Sequence, residues 1–167
     1  MTKQYCDTNI LTAFINKDEL RKNFGGWGVH RFQDIKRFRS INAEEKLKKI
    51  QGCKINRDVL FDDIRGHQAS MGGVLTSINL KDVELINVDG LEEGKKIFNK
   101  SCSKSDRNSK FHKKFCKNGR LKDNLEKNEL NDIKHFGSAI KSNCDEFITD
   151  NLKDFSPLKN FTKMEVG

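Results

Sequence analysis

Short apolar runs of strand length alternate along this chain with longer stretches of helical period, and few folds accommodate that alternation. Residues 3 to 6 are β-compatible, and Ile10, Leu11, Phe14 and Ile15 then recur at helical spacing. The glycines at 25, 26 and 28 break that helix, because consecutive glycines are poor helix formers and supply special backbone angles. Residues 40–50 read as a capped helix with acids in its first turn. The stretch 55–66 reads as the end of a strand or as a short helix. Residues 82–89 alternate as a strand, and a helix follows from Gly90. Further on, Leu130, Ile133, Phe136 or Gly137, and Ile140 share one helical face within 129–143. A strand at 145–149, a turn into a short helix, and a last short strand at 163–166 complete the pattern.

Parallel strands need long, usually helical crossovers. The alternation therefore predicts one α/β domain over 1–167 with a mainly parallel central sheet. In such sheets, sites form beyond the carboxyl ends of the strands. Asp7 follows the first strand at once, and Asp150 follows the strand that ends at Thr149.

Charge adds a second constraint. The net charge is +8, and the excess lies in residues 95–127, where twelve Lys or Arg face three acids. A basic insertion or helical segment of this kind is either a solvated face or a surface for polyanions such as RNA. Lys110, Lys113, Lys114 and Lys117 are its candidate phosphate contacts, and Phe98, Phe111 and Phe115 either stack on bases or pack inward. The five cysteines are scattered, odd in number and without a CxxC pair, which suits free thiols in a reducing cytoplasm. Cys102, His112 and Cys116 are zinc-type ligands, but their spacing matches no common zinc pattern and a fourth ligand is not evident. No apolar run approaches a membrane span.

Taken singly, the acids have ordinary explanations. Asp7, Thr8 and Asn9 suit a helix N-terminus, Asp132 suits a helix first turn, and Asp150 and Asp154 suit a turn. In order along the chain, however, "YCDTNIL" and "NDIKHFGSAIKSNCDEFITDNLKDF" resemble the two ends of the PIN-domain nucleases, which include toxin ribonucleases of the VapC type. The second piece resembles the family's pattern of an acid opening a helix with small residues at its middle, followed by a short strand. The resemblance implies a PIN-like three-layer α/β/α sandwich and an acidic pocket that holds Mg²⁺ or Mn²⁺ and cuts single-stranded RNA. Hard divalent ions do prefer a few carboxylates from separate elements and retain water for the reaction.

Carried over by position, Asp7 and Asp132 match the family's first acid and the acid opening its penultimate long helix. For the last acid, Asn151 stands where many members have Asp, which leaves Asp150 as the favoured carboxylate and Asp154 as an auxiliary one. The first-half acid is Asp63, in "VLFDDIRG", or Glu45, in "NAEEKL". Thr8, Asn9, Thr149 and Asn151 would orient ligands by hydrogen bonds. His135 faces the same side of its helix as Asp132 and either assists the site or covers the edge of the core. Resemblance to the toxin members further implies a homodimer and an antitoxin protein partner. The rival expectation is a catalytically inactive PIN-like module for RNA or protein binding, and a third is a DNA-directed nuclease.

Overall fold

The computed structural model describes residues 2–8, 10, 52–65 and 83–167. The expected helices at 10–15 and 40–50, the glycine break at 25–28, and the candidates Asn9 and Glu45 lie, except for Ile10, outside the described residues.

The described elements are β1 (Gln4–Cys6), β2 (Cys53–Asn56), α1 (Arg57–Arg65), β3 (Val83–Ile86), α2 (Leu91–Lys104) and α3 (Lys110–Phe115). They continue with β4 (Cys116–Lys117), β5 (Arg120–Leu121), α4 (Lys127–Lys141), β6 (Glu146–Ile148), α5 (Leu152–Phe155), a 3₁₀ turn (Ser156–Phe161) and β7 (Glu165–Val166). The ambiguous stretch 55–66 is both things in turn, the end of β2 and then α1. Asn56 makes the change of direction, because its side-chain oxygen accepts the Val59 N–H at 3.2 Å as a helix cap does.

Five strands form a parallel sheet in the order β3-β2-β1-β6-β7. From β1 the chain builds outward through β2 to β3, then returns to build β6 and β7 on the other side. The winding therefore reverses between β1 and β6, the point at which crevices open in parallel sheets. Tyr5 pairs with Phe147 and Cys6 with Ile148 in the register of these two strands. At the sheet edge, β3 departs from the expected pattern: Leu85 is exposed, while Val83 and Ile86 pack on the core.

The core is rich in phenylalanine. Phe98, Phe136, Phe147 and Phe155 contact one another beside the sheet, and Phe111 and Phe115 extend the cluster from α3. All six are essentially inaccessible, so the phenylalanines of the basic segment are core residues and not base-stacking platforms. That segment is ordered structure. It comprises α2, α3 and a β4–β5 hairpin whose two-residue turn, Asn118–Gly119, has positive φ at both positions. Cys102 and Cys116 form a disulfide that ties α2 to β4, which corrects the reading of five free thiols and removes both as zinc ligands. Cys6, Cys53 and Cys144 are free and buried. No helix among the described residues is long and apolar enough to cross a membrane.

Helices α2 and α4 meet backbone to backbone, and the small residues at the middle of α4 make the approach possible. A Cβ at Gly137 would collide with the Gly90 carbonyl, and one at Gly94 with the Ile133 carbonyl. Neither obstacle is a movable side chain. Gly137→Ala should therefore cost about 1–3 kcal/mol, the usual range for overpacking, and lower the melting temperature by about 2–4 °C per kcal/mol. Thermal unfolding of the variant checks this, with Ser142→Ala beyond the crossing as the control.

Candidate functional site

Four carboxylates from four elements approach one another at the carboxyl end of the sheet: Asp7 after β1, Asp63 on α1, Asp132 on α4 and Asp154 on α5. Asp7 is set in place by the sheet itself. Its backbone N–H continues the β1–β6 ladder to the Ile148 carbonyl at 2.9 Å, and its side chain accepts from the Thr8 N–H at 2.8 Å and the Thr149 hydroxyl at 2.9 Å. Thr149 is itself held by accepting the Asn151 N–H.

Asp63 is the most fully bonded acid. It accepts from Thr8 Oγ1 at 2.6 Å, Asn131 Nδ2 at 2.8 Å and His135 Nε2 at 2.7 Å. The ring of His135 is oriented from behind. The Asn56 N–H donates to the Tyr5 oxygen, which is in turn hydrogen-bonded to His135 Nδ1, and this turns Nε2 toward Asp63. The His135 ring is fully buried against Tyr5, bonded to Asp63, and 4.0 Å from Asp7, which accords with both sequence readings of it. On the far side, Lys114 forms an ion pair with Asp154 and lies 3.7 Å from Asp132. Asn151 donates to the same Asp154 oxygen at 2.7 Å.

These surroundings set the charges. Burial, reinforced by the charge of Asp63, holds the Asp7 carboxyl above the usual carboxylate range against the opposing pull of His135 and the hydrogen bonds from Thr149 and Thr8. Asp132 lies well above that range, chiefly through burial and then through the charge of Asp7. Asp154 and Asp63 add to the rise, and Lys114 opposes it. For Asp63, burial alone would raise the carboxyl, but the hydrogen bond and charge of His135, with the hydrogen bonds of Thr8 and Asn131, leave it below. At Asp7 and Asp132 the neighbouring donors and cations thus do not offset the cost of burying a negative charge.

Most of the residues expected from sequence are brought together. Asp7, Asp132, Thr8 and Thr149 are in the cluster together with Asp63, while its alternative Glu45 lies outside the described residues. For the last acid, Asp150 is half-buried just after β6, and the charge of the auxiliary candidate Asp154 bears on Asp132. Asn151 holds Asp154 in place. Lys114, expected among the phosphate-facing lysines, is turned inward, whereas Lys110, Lys113 and Lys117 are exposed or half-exposed at the surface. Tyr5, Asn56 and Asn131 were not legible as site residues, because a buried tyrosine in a strand and asparagines near helix starts have commoner uses.

The donor set suits a hard divalent ion, since every acidic donor atom is oxygen and the charge is undercompensated at Asp7 and Asp132. Asn131 adds a buried side-chain oxygen without a hydrogen-bond partner among the described residues. As the side chains stand, no group of three or more His, Cys, Asp or Glu among the described residues has the arrangement of a formed metal centre. Asp63 and Asp154 are already engaged by His135 and Lys114. Comparison with protein-family models, with curated proteins and with solved structures found no match for this chain.

The opposite shifts have opposite consequences for stability. A carboxyl raised in the fold costs stability as the pH climbs through its raised value, and one lowered in the fold contributes stability that is lost as the pH falls through its lowered value. In chelator, Asp132→Asn should therefore melt a few degrees above the parent at neutral pH, with the gain shrinking on acidification. Asp63→Asn should melt below the parent at neutral pH. Melting curves taken from neutral pH down into the carboxylate range check both signs.

Proposed function

We propose that this chain is a metal-dependent endoribonuclease of PIN-like, three-layer α/β/α architecture that hydrolyses phosphodiester bonds of single-stranded RNA. The observation that carries the reading is the gathering of Asp7, Asp63, Asp132 and Asp154 at the carboxyl ends of β1 and β6, with Asp7 and Asp132 undercompensated. Such a cluster costs folding stability, and a cation offsets that cost.

Asp7 and Asp132 would hold Mg²⁺ or Mn²⁺, with Asp63 beside them. The ion, when bound, supplies Lewis acidity toward a phosphoryl oxygen and a hydroxide near neutral pH. The chain's own groups do the positioning. Thr8 and Thr149 fix the two Asp7 oxygens, and the relay from Asn56 through Tyr5 to His135 fixes Asp63. At the rim, the amine of Lys153 close beside Lys110 holds that lysine below its usual range, a repulsion that a phosphate would relieve. With Lys113 and Lys117, these side chains supply a track for the RNA backbone. A toxin role with an antitoxin partner and a homodimer belong to the same proposal and rest on the sequence resemblance; a cytoplasmic setting is proposed with them without the free-thiol argument, which the Cys102–Cys116 disulfide removes.

One alternative has specific support. Asn151 stands where an acid is expected, and Lys114 already neutralises part of the cluster, which favours a PIN-like RNA-binding or protein-interaction module without catalysis.

The deciding measurement incubates purified protein with single-stranded RNA or DNA, with Mn²⁺, Mg²⁺ or chelator. Cleavage of RNA only with a divalent ion, abolished in Asp7→Asn and Asp132→Asn, is the expected result. RNA binding without cleavage would favour the inactive module, and cleavage by both Asn variants would remove the acids from the chemistry. Changing Lys110, Lys113 and Lys117 together to Gln should flatten the salt dependence of RNA binding by about 0.7 in log–log slope for each phosphate that is no longer neutralised.

A further inference from the structure

Lys114 is held in the acid cluster by the frame of its own segment. Phe111 and Phe115 bury one face of α3 against Phe98, and Cys116, two residues after Lys114, is bonded to Cys102 on α2. The Lys122 ammonium donates to the carbonyls of Lys113 at 2.8 Å and Lys114 at 3.3 Å, closing the end of the helix. From that frame the Lys114 side chain reaches Asp154 and Asp132, two acids from elements elsewhere in the chain. Only 37% of it is exposed. Across the cluster, the close hydrogen bonds to Asp7 come from neutral donors, the Thr8 N–H and the Thr149 hydroxyl. Among the described residues, the Asp132–Asp154 edge therefore has a lysine cation in contact, whereas the basic group beside Asp7 is the His135 ring, 4.0 Å away and bonded to Asp63.

We propose that the Lys114 ammonium is a permanent, chain-supplied cation of this cluster, occupying the Asp132–Asp154 edge so that a single divalent ion is taken up, on the Asp7–Asp132 side. The inference rests on the metal-dependent reading above and adds the number of ions and the residue that sets it. An ammonium is a compact point charge with three donors and can bridge two carboxylates, offsetting one unit of their charge, without demanding a coordination geometry. Because Asp132 lies next to both positions, the ammonium and the ion share that carboxylate. The two cations repel, so the ion is bound more weakly than in a cluster free of Lys114.

The test is calorimetric titration of Mn²⁺ into metal-free protein, with thermal unfolding in chelator and in Mn²⁺. The parent and Lys114→Arg should each take up one equivalent. Lys114→Met should take up a second, melt below the parent in chelator, and recover when Mn²⁺ is added. Lys114→Gln, which keeps an N–H donor for Asp154, is the second neutral variant if Lys114→Met fails to fold. A neutral variant that titrates like the parent would overturn the role of Lys114 and leave the metal-dependent reading standing. No uptake by the parent or by either neutral variant would overturn both. Two equivalents in the parent would overturn the single-ion assignment alone.

Discussion

Everything at the site depends on the parallel pairing of β1 with β6. These strands are only three residues each and lie 142 residues apart in the chain, yet their register places Asp7 and Thr149 side by side just beyond the ladder. Parallel strands end on the same edge of a sheet, so whatever follows one must meet whatever follows the other. A slip of one residue would reverse the faces of every side chain in β1 and turn Tyr5 out of the core. The stacking of Tyr5 on Phe147 and the burial of Cys6, Phe147 and Ile148 make that slip expensive.

Behind the acids lies a buried polar relay that is satisfied link by link. The Asn56 N–H, the Tyr5 hydroxyl and the His135 ring lead from the end of β2 to Asp63, and the Asn56 side chain bonds the Val88 carbonyl and Ser138. The relay joins β1, β2, the β3–α2 connection and α4, so the position of the acids is coupled to the packing of the core. Unpaired, each of these groups would cost roughly 1–3 kcal/mol. Paired, they restrict the site to one arrangement. Tyr5 shows the depth of burial, which holds its hydroxyl well above the usual tyrosine range.

The basic segment joins the two roles that its composition left open. Its phenylalanines fill the core and most of its lysines face solvent, while Lys114 alone among the four candidate lysines bridges to the acids. One short helix, pinned by a disulfide and an aromatic cluster, thus connects the surface charge to the centre of the site.

By itself the sequence determined the class of fold and most of the acids. Alternating strand and helix periods require a largely parallel sheet, and acids that directly follow strands must lie at its carboxyl edge, as Asp7 does. The small residues at the middle of α4 were visible as well, although the helix they meet was not. Tertiary structure alone brought Asp154 to Lys114 and Asn151. It likewise made His135 a partner of Asp63, turned Lys114 inward and joined Cys102 to Cys116. Each of these outcomes depends on groups that meet across the fold at a distance of a few ångströms, and neither residue type nor local spacing carries that information.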